Sequence, residues 1–239
     1  MFRSYDYPAI YRGQPRTTIP RQPPNKPQTR KDKPMNTTTT RTGLTDLANI
    51  IGAVALHAST DQQRYALTGI YITAEHIQAT DSYSLGRYTP AEPITTGQPA
   101  LINARELTTA LNNLTKAAKN YRAAQASLTI TGDKWQLTAL ESDLETAETF
   151  SSYTGQTIPA EFPNSQQLFD LAKPAQTPFE PTGVNPEYLE RLTKASRKIS
   201  KTAPLIMATW QTPQKPIIYT TTTETGQLDQ ILMPQRINQ

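Results

Sequence analysis

Residues 66–87, ALTGIYITAEHIQATDSYSLGR, contain the most regular pattern in the chain. Apolar and polar residues alternate in RYALTGIYIT, in HIQATD after a turn at Thr73–Glu75, and in SLGRYT. Alternation with a period of two is typical of strands that have one buried face. The stretch therefore predicts two or three antiparallel strands. It also places the polar run Thr80-Asp81-Ser82-Tyr83 at the end of a strand, where it forms a turn, a metal ligand set or one wall of a binding pocket.

These strands belong to a unit of one helix followed by strands, and the unit occurs three times. Apolar residues at helical spacing predict helices over 44–58, 103–121 and 186–201. Asn103 and Asn185 are suited to be N-caps, with Pro186 at the first helical position. The strands that follow the second and third helices are ASLTIT, KWQLTAL and LETAETF, then PLIMATWQ, KPIIYTTT and DQILMPQRI. We expect an α+β fold in which the three copies share sheets, because one copy alone cannot bury its sheet face.

The positive charge of the chain lies in its first 41 residues. That segment has nine Lys/Arg against Asp6 and Asp32, a net charge of +7, while the other 198 residues have a net charge of −3. It also contains seven prolines and no sustained apolar period. Such composition predicts a disordered tail at 1–41. The tail is a phosphate-binding arm, a solvated extension, or a segment that is not translated because the chain starts at Met35. The sequence leaves these alternatives open.

Composition excludes several classes of site. The chain has no cysteine and only two histidines, His57 and His76, in unrelated contexts. Disulfides, thiolate metal sites and cysteine nucleophiles are therefore excluded, and we expect no metal, no cofactor and no catalytic residues. No apolar run reaches the length of a membrane span, so we expect a cytoplasmic protein. Asp81 has no second carboxylate or histidine at a useful spacing, and we expect it to accept backbone N–H bonds in a turn.

The second and third helices carry cations on a body that is otherwise acidic. Positions 191, 194, 198 and 201 share one face of the third helix. An ordinary solvated face is one interpretation, and a surface that contacts DNA phosphates without reading sequence is the other. The candidate DNA-binding residues are Arg105, Lys116, Lys119, Arg122, Arg191, Lys194, Arg197, Lys198 and Lys201.

Four motifs together resemble the bacterial beta sliding clamp family, the processivity subunits of DNA polymerase III. The middle domain of the family has an Arg, then a Leu-x-Gly strand, then an Ala-Thr-Asp-Gly run. The stretch RYALTGIYITAEHIQATDSYSLGR is similar to this pattern. The next helix of the family resembles LINARELTTALNNL, and its Phe-Pro-Asp-Tyr linker resembles EFPNSQQLF. Its C-terminal Met-Pro signature resembles ILMPQRI near the end of this chain. The resemblance implies a DNA-clamp fold with sheets outside and helices on the DNA-facing side. Ser82 stands where the family has Gly, and Gln235 where a hydrophobic residue is common.

The resemblance implies a pocket that binds short linear peptides of partner proteins. Carried onto this chain, the pocket consists of Leu67, Thr80, Ser82, Tyr83, Leu85, Pro163, Leu168, Ile231, Met233 and Pro234. The implied partners are double-stranded DNA, bound independently of sequence, DNA polymerase and other proteins with clamp-binding peptides, a clamp loader, and further copies of the chain in a homo-oligomer. No membrane partner and no enzymatic activity are implied.

Only part of a clamp is represented. Residues 42–150 correspond to one clamp-like domain, 151–183 to a linker, and 184–239 to a C-terminal half domain. Closing a ring would take three or four such chains. The resemblance implies a processivity factor that tethers partners to duplex DNA through a ring or an arc. The alternative is an adaptor or decoy that binds clamp-binding peptides without encircling DNA.

Overall fold

The computed structural model describes residues 38–92, 98–121, 124–142, 147–172, 183–209 and 215–235, all within one compact unit, Met35–Gln239. The elements follow the chain in this order: β1 Thr38–Gly43, α1 Leu44–Val54, β2 Gly69–Ile72, β3 Ile77–Thr80, β4 Ser84–Pro90, β5 Ala100–Asn103, α2 Ala104–Ala117, β6 Ala124–Thr131, β7 Lys134–Ser142, β8 Ala147–Gln156, α3 Gln166–Leu171, α4 Pro186–Ile199, β9 Ile206–Thr209, β10 Ile217–Thr223 and β11 Gly226–Leu232. The predicted α+β class is confirmed.

Two antiparallel sheets contain all of these strands. One has the order β1-β6-β7-β8, and the other has the order β5-β2-β3-β4-β11-β10-β9. The first two units exchange strands, because β1 of the first unit pairs with β6 of the second and β5 of the second pairs with β2 of the first. The third unit joins the first through β4 and β11, which pair over seven residues from Gly226↔Pro90 to Leu232↔Ser84. The expectation that the copies share sheets is confirmed.

The core lies between the helices and the inner faces of both sheets. Helix α1 contributes Leu47 and Ile51, helix α2 contributes Leu107 and Leu114, and all four are buried. On β7 the alternate residues Trp135, Leu137 and Ala139 are buried against them, as the period of two requires. Helix α1 is the middle helix of the layer, since it packs against both α2 and α4.

The predicted N-caps are confirmed. The Asn103 side chain accepts hydrogen bonds from the backbone N–H groups of Arg105 and Glu106. The Asn185 side chain accepts one from the N–H of Glu187. These bonds satisfy N–H groups that a helix start leaves without partners inside the helix, so both helices begin where the sequence indicates.

Some elements differ from the sequence-based expectations. Residues Gln62–Thr68 form 3₁₀ turns where a strand was expected from Arg64, because Asp61 accepts the N–H of Gln63 and starts a turn. Strand β1 begins at Thr38, inside the segment expected to be a disordered tail, because β6 supplies its hydrogen bonds. Residues 1–37, the remainder of that predicted tail, lie outside the described residues.

The region after the second unit is also more ordered than expected. Strand β8 continues to Gln156, past the expected start of the linker at 151, because β7 pairs with it as far as Lys134↔Gln156. The short helix α3 forms inside the expected linker. Strand β5, Ala100–Asn103, precedes the second helix and was not among the expected strands; it forms because it pairs with β2. The predicted domain boundaries themselves stay predictions.

Candidate functional site: a groove at the joint of two units

The joint between β4 and β11 aligns three candidate pocket residues in one row. Thr80 lies opposite Leu85 on β4, and Leu85 lies opposite Ile231 on β11. All three are buried. Just beyond this row the backbone N–H of Met233 donates to the carbonyl oxygen of Tyr83 at 3.0 Å. Residues from two distant parts of the sequence thus form one continuous surface.

The loop between β3 and β4 is held by Asp81, whose predicted role in the turn is confirmed. One oxygen, Asp81 Oδ1, accepts the backbone N–H groups of Tyr83 at 3.0 Å and Ser84 at 2.8 Å. The Thr80 hydroxyl donates to the carbonyl oxygen of Ser84 and accepts the N–H of Ser82. These bonds fix the loop in a single conformation, as short polar side chains do in turns.

Ser82 has a backbone angle φ of 80°, the left-handed region that favours glycine. This is the position where the motif of the resembling family has Gly, so the backbone conformation that suits Gly is present here with a side chain on it. The hydroxyl has a partner of its own, because Arg64 Nη2 donates to Ser82 Oγ at 2.6 Å. Arg64 Nη1 also donates to the carbonyl oxygen of Asp81. Arg64 therefore fastens the loop from the outside.

Helix α4 packs on the sheet face opposite to Leu85 and Ile231, and it holds the loop between β3 and β4 from that face. Arg191 Nη1 lies 2.6 Å from Asp81 Oδ2, in a pair whose aspartate side chain is only 10% exposed. The Arg191 guanidinium also lies 4.7 Å from the centre of the Tyr188 ring. The Tyr188 ring in turn stacks on Tyr83 at 5.8 Å. Burial, followed by the negative charge of Asp81, raises the pKa of the Tyr188 hydroxyl.

Sequence reasoning assigned Arg191 to the DNA-binding face and did not assign Arg64 or Tyr188 to the pocket. The structure places Arg191 against Asp81, where it holds the loop between β3 and β4. The spacing of cations along a helix could not reveal this, because Arg191 differs from its neighbours only in the tertiary contact that it makes. The clamp motif has an Arg before its Leu-x-Gly strand, and Arg64 occupies that position. This match could have indicated that Arg64 lies at the pocket.

The other candidate pocket residues surround this centre. Tyr83 is 56% exposed, and Met233 and Pro234 are half-buried. Leu67 is buried in the 3₁₀ segment that packs against β2 and β3. Leu168 lies half-buried in α3, and Pro163 is exposed just before that helix.

Helix α3 is held on the same sheet face by Arg87, two residues from Leu85 along β4. Arg87 Nη2 donates to Ser165 Oγ at 2.8 Å, and Arg87 Nη1 donates to Gln166 Oε1 at 3.0 Å. Its guanidinium lies 3.8 Å from the centre of the Phe169 ring. Burial lowers the pKa of Arg87 from its ordinary value. The linker is thereby fixed over the sheet beside the groove.

A buried histidine supports the groove from beneath. His57 Nε2 donates to Gln230 Oε1 at 3.0 Å, and its Nδ1 lies 3.1 Å from Ser84 Oγ. The ring takes the space above Gly86, where a Cβ atom would lie 2.4 Å from His57 Cδ2. Burial is the main cause that lowers the pKa of His57 to about 4. His57 is therefore neutral at pH 7 and bridges the first unit to β11.

The remaining candidate DNA-binding residues occupy the helix layer. Five of them are exposed and lie on α2 or α4, or just beyond the C-terminal ends of these helices: Lys116, Lys119, Arg197, Lys198 and Lys201. Lys194 is exposed and pairs with Glu190 at 2.8 Å. Lys198 lines a cavity of about 260 Å³ with residues of α1 and α2. Arg105 is exposed at the start of α2, and Arg122 lies outside the described residues.

Within the described residues there is no group of three or more His, Cys, Asp or Glu side chains that could hold a metal ion. In the same part of the chain, no helix has both the length and the apolar character needed to cross a membrane. Asp81 directs one oxygen at the backbone and the other at Arg191, so both carboxylate oxygens have partners within the fold.

Solved structures of bacterial clamps are similar to this chain. The beta sliding clamp of Caulobacter crescentus superimposes with a TM-score of 0.59 at 14% identity, over 89% of this chain and 68% of that one. The chain has the beta sliding-clamp fold. The DNA polymerase III beta subunit of Thermotoga maritima gives a TM-score of 0.57 at 13% identity, over 89% of this chain and 69% of that one. That of Streptococcus pyogenes gives 0.57 at 14% identity, over 88% and 68%.

At these identities the likeness concerns the fold. No protein-family model matches the chain, and no curated protein sequence matches it significantly. The clamp fold explains why short motifs lie in the right order along the chain while the residues between them differ. It also gives the three units a common architecture, with sheets on one side of the core and helices on the other.

Proposed function

We propose that the chain is a non-enzymatic, clamp-like replication accessory protein that receives short linear peptides of its partners in a groove formed by the β4–β11 joint, the loop between β3 and β4, and α3. The observation that carries the proposal is the joint at which the Met233 N–H donates to the Tyr83 carbonyl. It brings the exposed Tyr83 ring and the half-buried Met233 side chain beside the buried row of Thr80, Leu85 and Ile231. Such a shallow, partly apolar surface suits an extended peptide, and the flexible side chain of Met adapts to different ligands.

The partners of this function are DNA polymerase and other proteins that carry clamp-binding peptides, together with duplex DNA and a clamp loader. The cations of α2 and α4 contact DNA phosphates without reading the sequence. Several chains in a ring or an arc tether the partner to DNA. The exposed lysines on the helix layer and the clamp fold of the chain support this part of the proposal.

The first test measures binding of a fluorescent clamp-binding peptide from a DNA polymerase. Met233→Ala removes a half-buried thioether from the groove, and we expect it to raise the dissociation constant about tenfold, ~1.4 kcal/mol. Tyr83→Ala acts on a side chain that is 56% exposed, so it leaves the core intact, and we expect a loss of similar size.

The matched control is Ile206→Ala, which truncates an apolar side chain that is 54% exposed on β9, away from the groove. It should leave the affinity unchanged. Leu67→Ala combined with Met233→Ala extends the series to a buried wall residue, with thermal unfolding measured alongside. If folded Met233→Ala and Tyr83→Ala proteins bind the peptide as tightly as the unmutated chain, the groove is not the peptide site.

The second candidate function is an adaptor or decoy that binds clamp-binding peptides without encircling DNA. It is favoured by one specific observation: β4 and β11 pair within the chain, so the joint that carries Leu85 and Ile231 forms without an oligomer. The two functions differ in the mass of the protein in solution. A ring or arc requires a defined oligomer, whereas a decoy works as a monomer.

A further inference from the structure

A second cleft, separate from the peptide groove, lies over strands β2 and β5. It has a volume of about 440 Å³ and is lined by Tyr71, Leu101 and the segment 157–162. Tyr71 points to the face of β2 opposite to the buried Ile70 and Ile72, because neighbouring residues of a strand point to opposite faces. This β2–β5 cleft therefore lies on the side of the sheet that is turned away from the helix layer.

Aromatic rings and aliphatic side chains line the β2–β5 cleft. The Tyr71 and Phe162 rings stack in parallel, with their centres 5.2 Å apart. Leu101 and Ile158 are buried and pack directly on the β2 backbone at Gly69, where a Cβ atom would lie 2.6 Å from Leu101 Cδ1 and 3.0 Å from Ile158 Cδ1. The cleft thus offers flat aromatic surface above an aliphatic base.

The polar groups of the cleft define what a ligand must supply. Glu161 is exposed and is the one charged residue among the described residues that line the cleft. It forms no ion pair with a residue that the structure describes. Within the same part of the chain, the Tyr71 hydroxyl has no hydrogen-bond partner. A matching ligand carries a positive charge for Glu161 and a hydrogen-bond acceptor for Tyr71.

The backbone beside the cleft excludes one mode of peptide binding. Strand β5 is at the end of its sheet, but the Ile158 N–H donates to the Leu101 carbonyl oxygen at 2.7 Å, and Thr157 forms a bridge with Ile102. A peptide therefore cannot be added as a further strand at these residues. A polyproline II segment needs no such bonds, because its prolines have no N–H groups and pack on aromatic rings, while its carbonyl oxygens stay free to accept hydrogen bonds.

We propose that the β2–β5 cleft binds a proline-rich, basic segment of the partner protein whose clamp-binding peptide occupies the groove. Prolines of this segment pack against Tyr71 and Phe162, and one of its carbonyl oxygens accepts the Tyr71 hydroxyl. An arginine or lysine of the segment pairs with Glu161. Since polyproline II is already formed in the free peptide, little conformational entropy is lost on binding.

The cleft and the groove lie on the same face of the sheet, with the start of α3 between them. Tyr71 is paired with Gln78, and Gln78 is paired with Arg87, so the two sites are two strands apart, about 10 Å. Ser165 bonds to both Gln78 and Arg87 and thus covers the strands in between. One partner chain can therefore occupy both sites, and its second contact is then favoured by the first. Only the identity of the partner rests on the proposed function.

The first experiment titrates the full chain with a fluorescent synthetic peptide made of prolines with a single arginine and a single lysine. We expect saturable binding. The same peptide with glycine in place of every proline should bind about tenfold more weakly, because it does not form polyproline II. With glutamate in place of both cations it should also bind about tenfold more weakly, because Glu161 repels it. Equal binding of the three peptides, or none, would overturn the proposal.

Variants of the chain locate the site. Phe162→Ala removes one of the stacked rings and should weaken binding of the proline-rich peptide about tenfold, whereas Tyr71→Phe keeps the ring and should lose only the contribution of the hydroxyl, about threefold. Glu161→Gln should weaken binding about threefold and reduce its dependence on salt. The matched control Glu224→Gln changes an exposed glutamate between β10 and β11 and should have no effect. Thermal unfolding shows which variants are folded. If folded Phe162→Ala and Glu161→Gln proteins bind as tightly as the unmutated chain, the cleft is not the site.

Competition separates this inference from the proposed function. Tyr83→Ala should leave binding of the proline-rich peptide unchanged, and an unlabelled clamp-binding peptide should not displace it. Displacement would mean that both peptides share one site and would refute a separate cleft. If the proline-rich peptide binds and the clamp-binding peptide does not, the groove proposal fails while the cleft stands. A synthetic chain that joins both peptides should bind more tightly than either alone; if it does not, the two segments do not belong to one partner.

The other occupant to be tested is the N-terminal part of this chain. Residues 19–28, IPRQPPNKPQ, are also proline-rich and basic. A full-length variant with Ser in place of Pro20, Pro23, Pro24 and Pro27 should bind the proline-rich peptide as tightly as the unmutated chain. Tighter binding by the variant would show that the chain's own segment competes for the cleft, and it would overturn the assignment to a partner protein.

Discussion

Arg191 shows how a single tertiary contact changes the meaning of a residue. By spacing it belongs to the cationic face of α4, together with Lys194, Lys198 and Lys201. In the structure its guanidinium is paired with Asp81 at 2.6 Å and packs over Tyr188. A charge that is engaged with a nearly buried carboxylate stabilises the fold of the groove and is poorly available to a phosphate.

Replacing Arg191 should therefore affect stability more than replacing a neighbouring cation. Arg191→Gln leaves the Asp81 carboxylate without its charged partner, and we expect a loss of about 1–3 kcal/mol in the free energy of unfolding. The matched change Lys194→Gln breaks an exposed pair with Glu190 and should cost less than about 1 kcal/mol. Urea denaturation at pH 7 measures both. Equal losses would mean that the Arg191–Asp81 pair contributes no more than a surface ion pair.

At the scale of elements, the joint of β4 and β11 depends on a small buried polar network. Gln230 on β11 accepts from His57 and donates to Ser196 on α4, and Thr221 on β10 donates to Ser196 as well. All four side chains are buried. Buried polar groups are stable only when they are hydrogen-bonded, so this network fixes how the first and third units meet.

The network makes stability depend on pH. Burial lowers the pKa of His57 to about 4, against 6.5 for an ordinary histidine, with the nearby charge of Asp81 opposing this shift and that of Arg191 adding to it. The unfolded chain thus binds a proton between pH 6.5 and 4 that the folded chain does not. Stability from this group is full above pH 6.5 and falls as the pH is lowered toward 4, by roughly 3 kcal/mol in all.

The measurement compares urea unfolding at pH 7 and pH 4.5 for the unmutated chain and for His57→Gln. We expect a smaller loss on acidification in His57→Gln, because the buried titrating group is gone. His76→Gln is the matched control, since His76 is partly exposed, and it should retain most of the pH dependence. The explanation fails if acidification costs His57→Gln as much as it costs the unmutated chain.

At the scale of the whole molecule, the helix layer is the surface proposed to face DNA. Helix α1 has Asp46 as its only charge and lies between α2 and α4, so the cations form two groups rather than an even track. Lys198 partly closes this gap, because its Nζ lies close to Gly52 on α1. Binding through such groups is electrostatic and is expected to weaken as salt is raised.

We expect a triple variant with Glu in place of Lys194, Lys198 and Lys201 to bind circular duplex DNA at least tenfold more weakly. Its binding affinity should also depend less on salt concentration between about 50 and 200 mM. Reversal of Lys134 and Lys215, which lie outside the helix layer, should have a much smaller effect. Retention on DNA and thermal unfolding are measured together. Unchanged retention of a folded triple variant would show that α4 does not face DNA.

Much of this architecture could be predicted from the sequence, and the errors have a common cause. Strands β3, β4 and β11 have alternation that depends only on neighbouring residues, and the N-caps Asn103 and Asn185 act within their own helices. Strands β1 and β5 were not predicted because each is a short strand before a helix that pairs with the other unit. Their hydrogen bonds come from residues tens of positions away, and no local pattern records that pairing.

The sequence by itself determined the three units, the helix starts and the turn role of Asp81. Each depends on local periodicity, on capping or on a short motif. Only the tertiary structure decided that Arg191 pairs with Asp81 and that His57 is a neutral buried bridge. These properties depend on which surfaces meet, and that is decided by long-range strand pairing and by the burial of polar groups in one shared core.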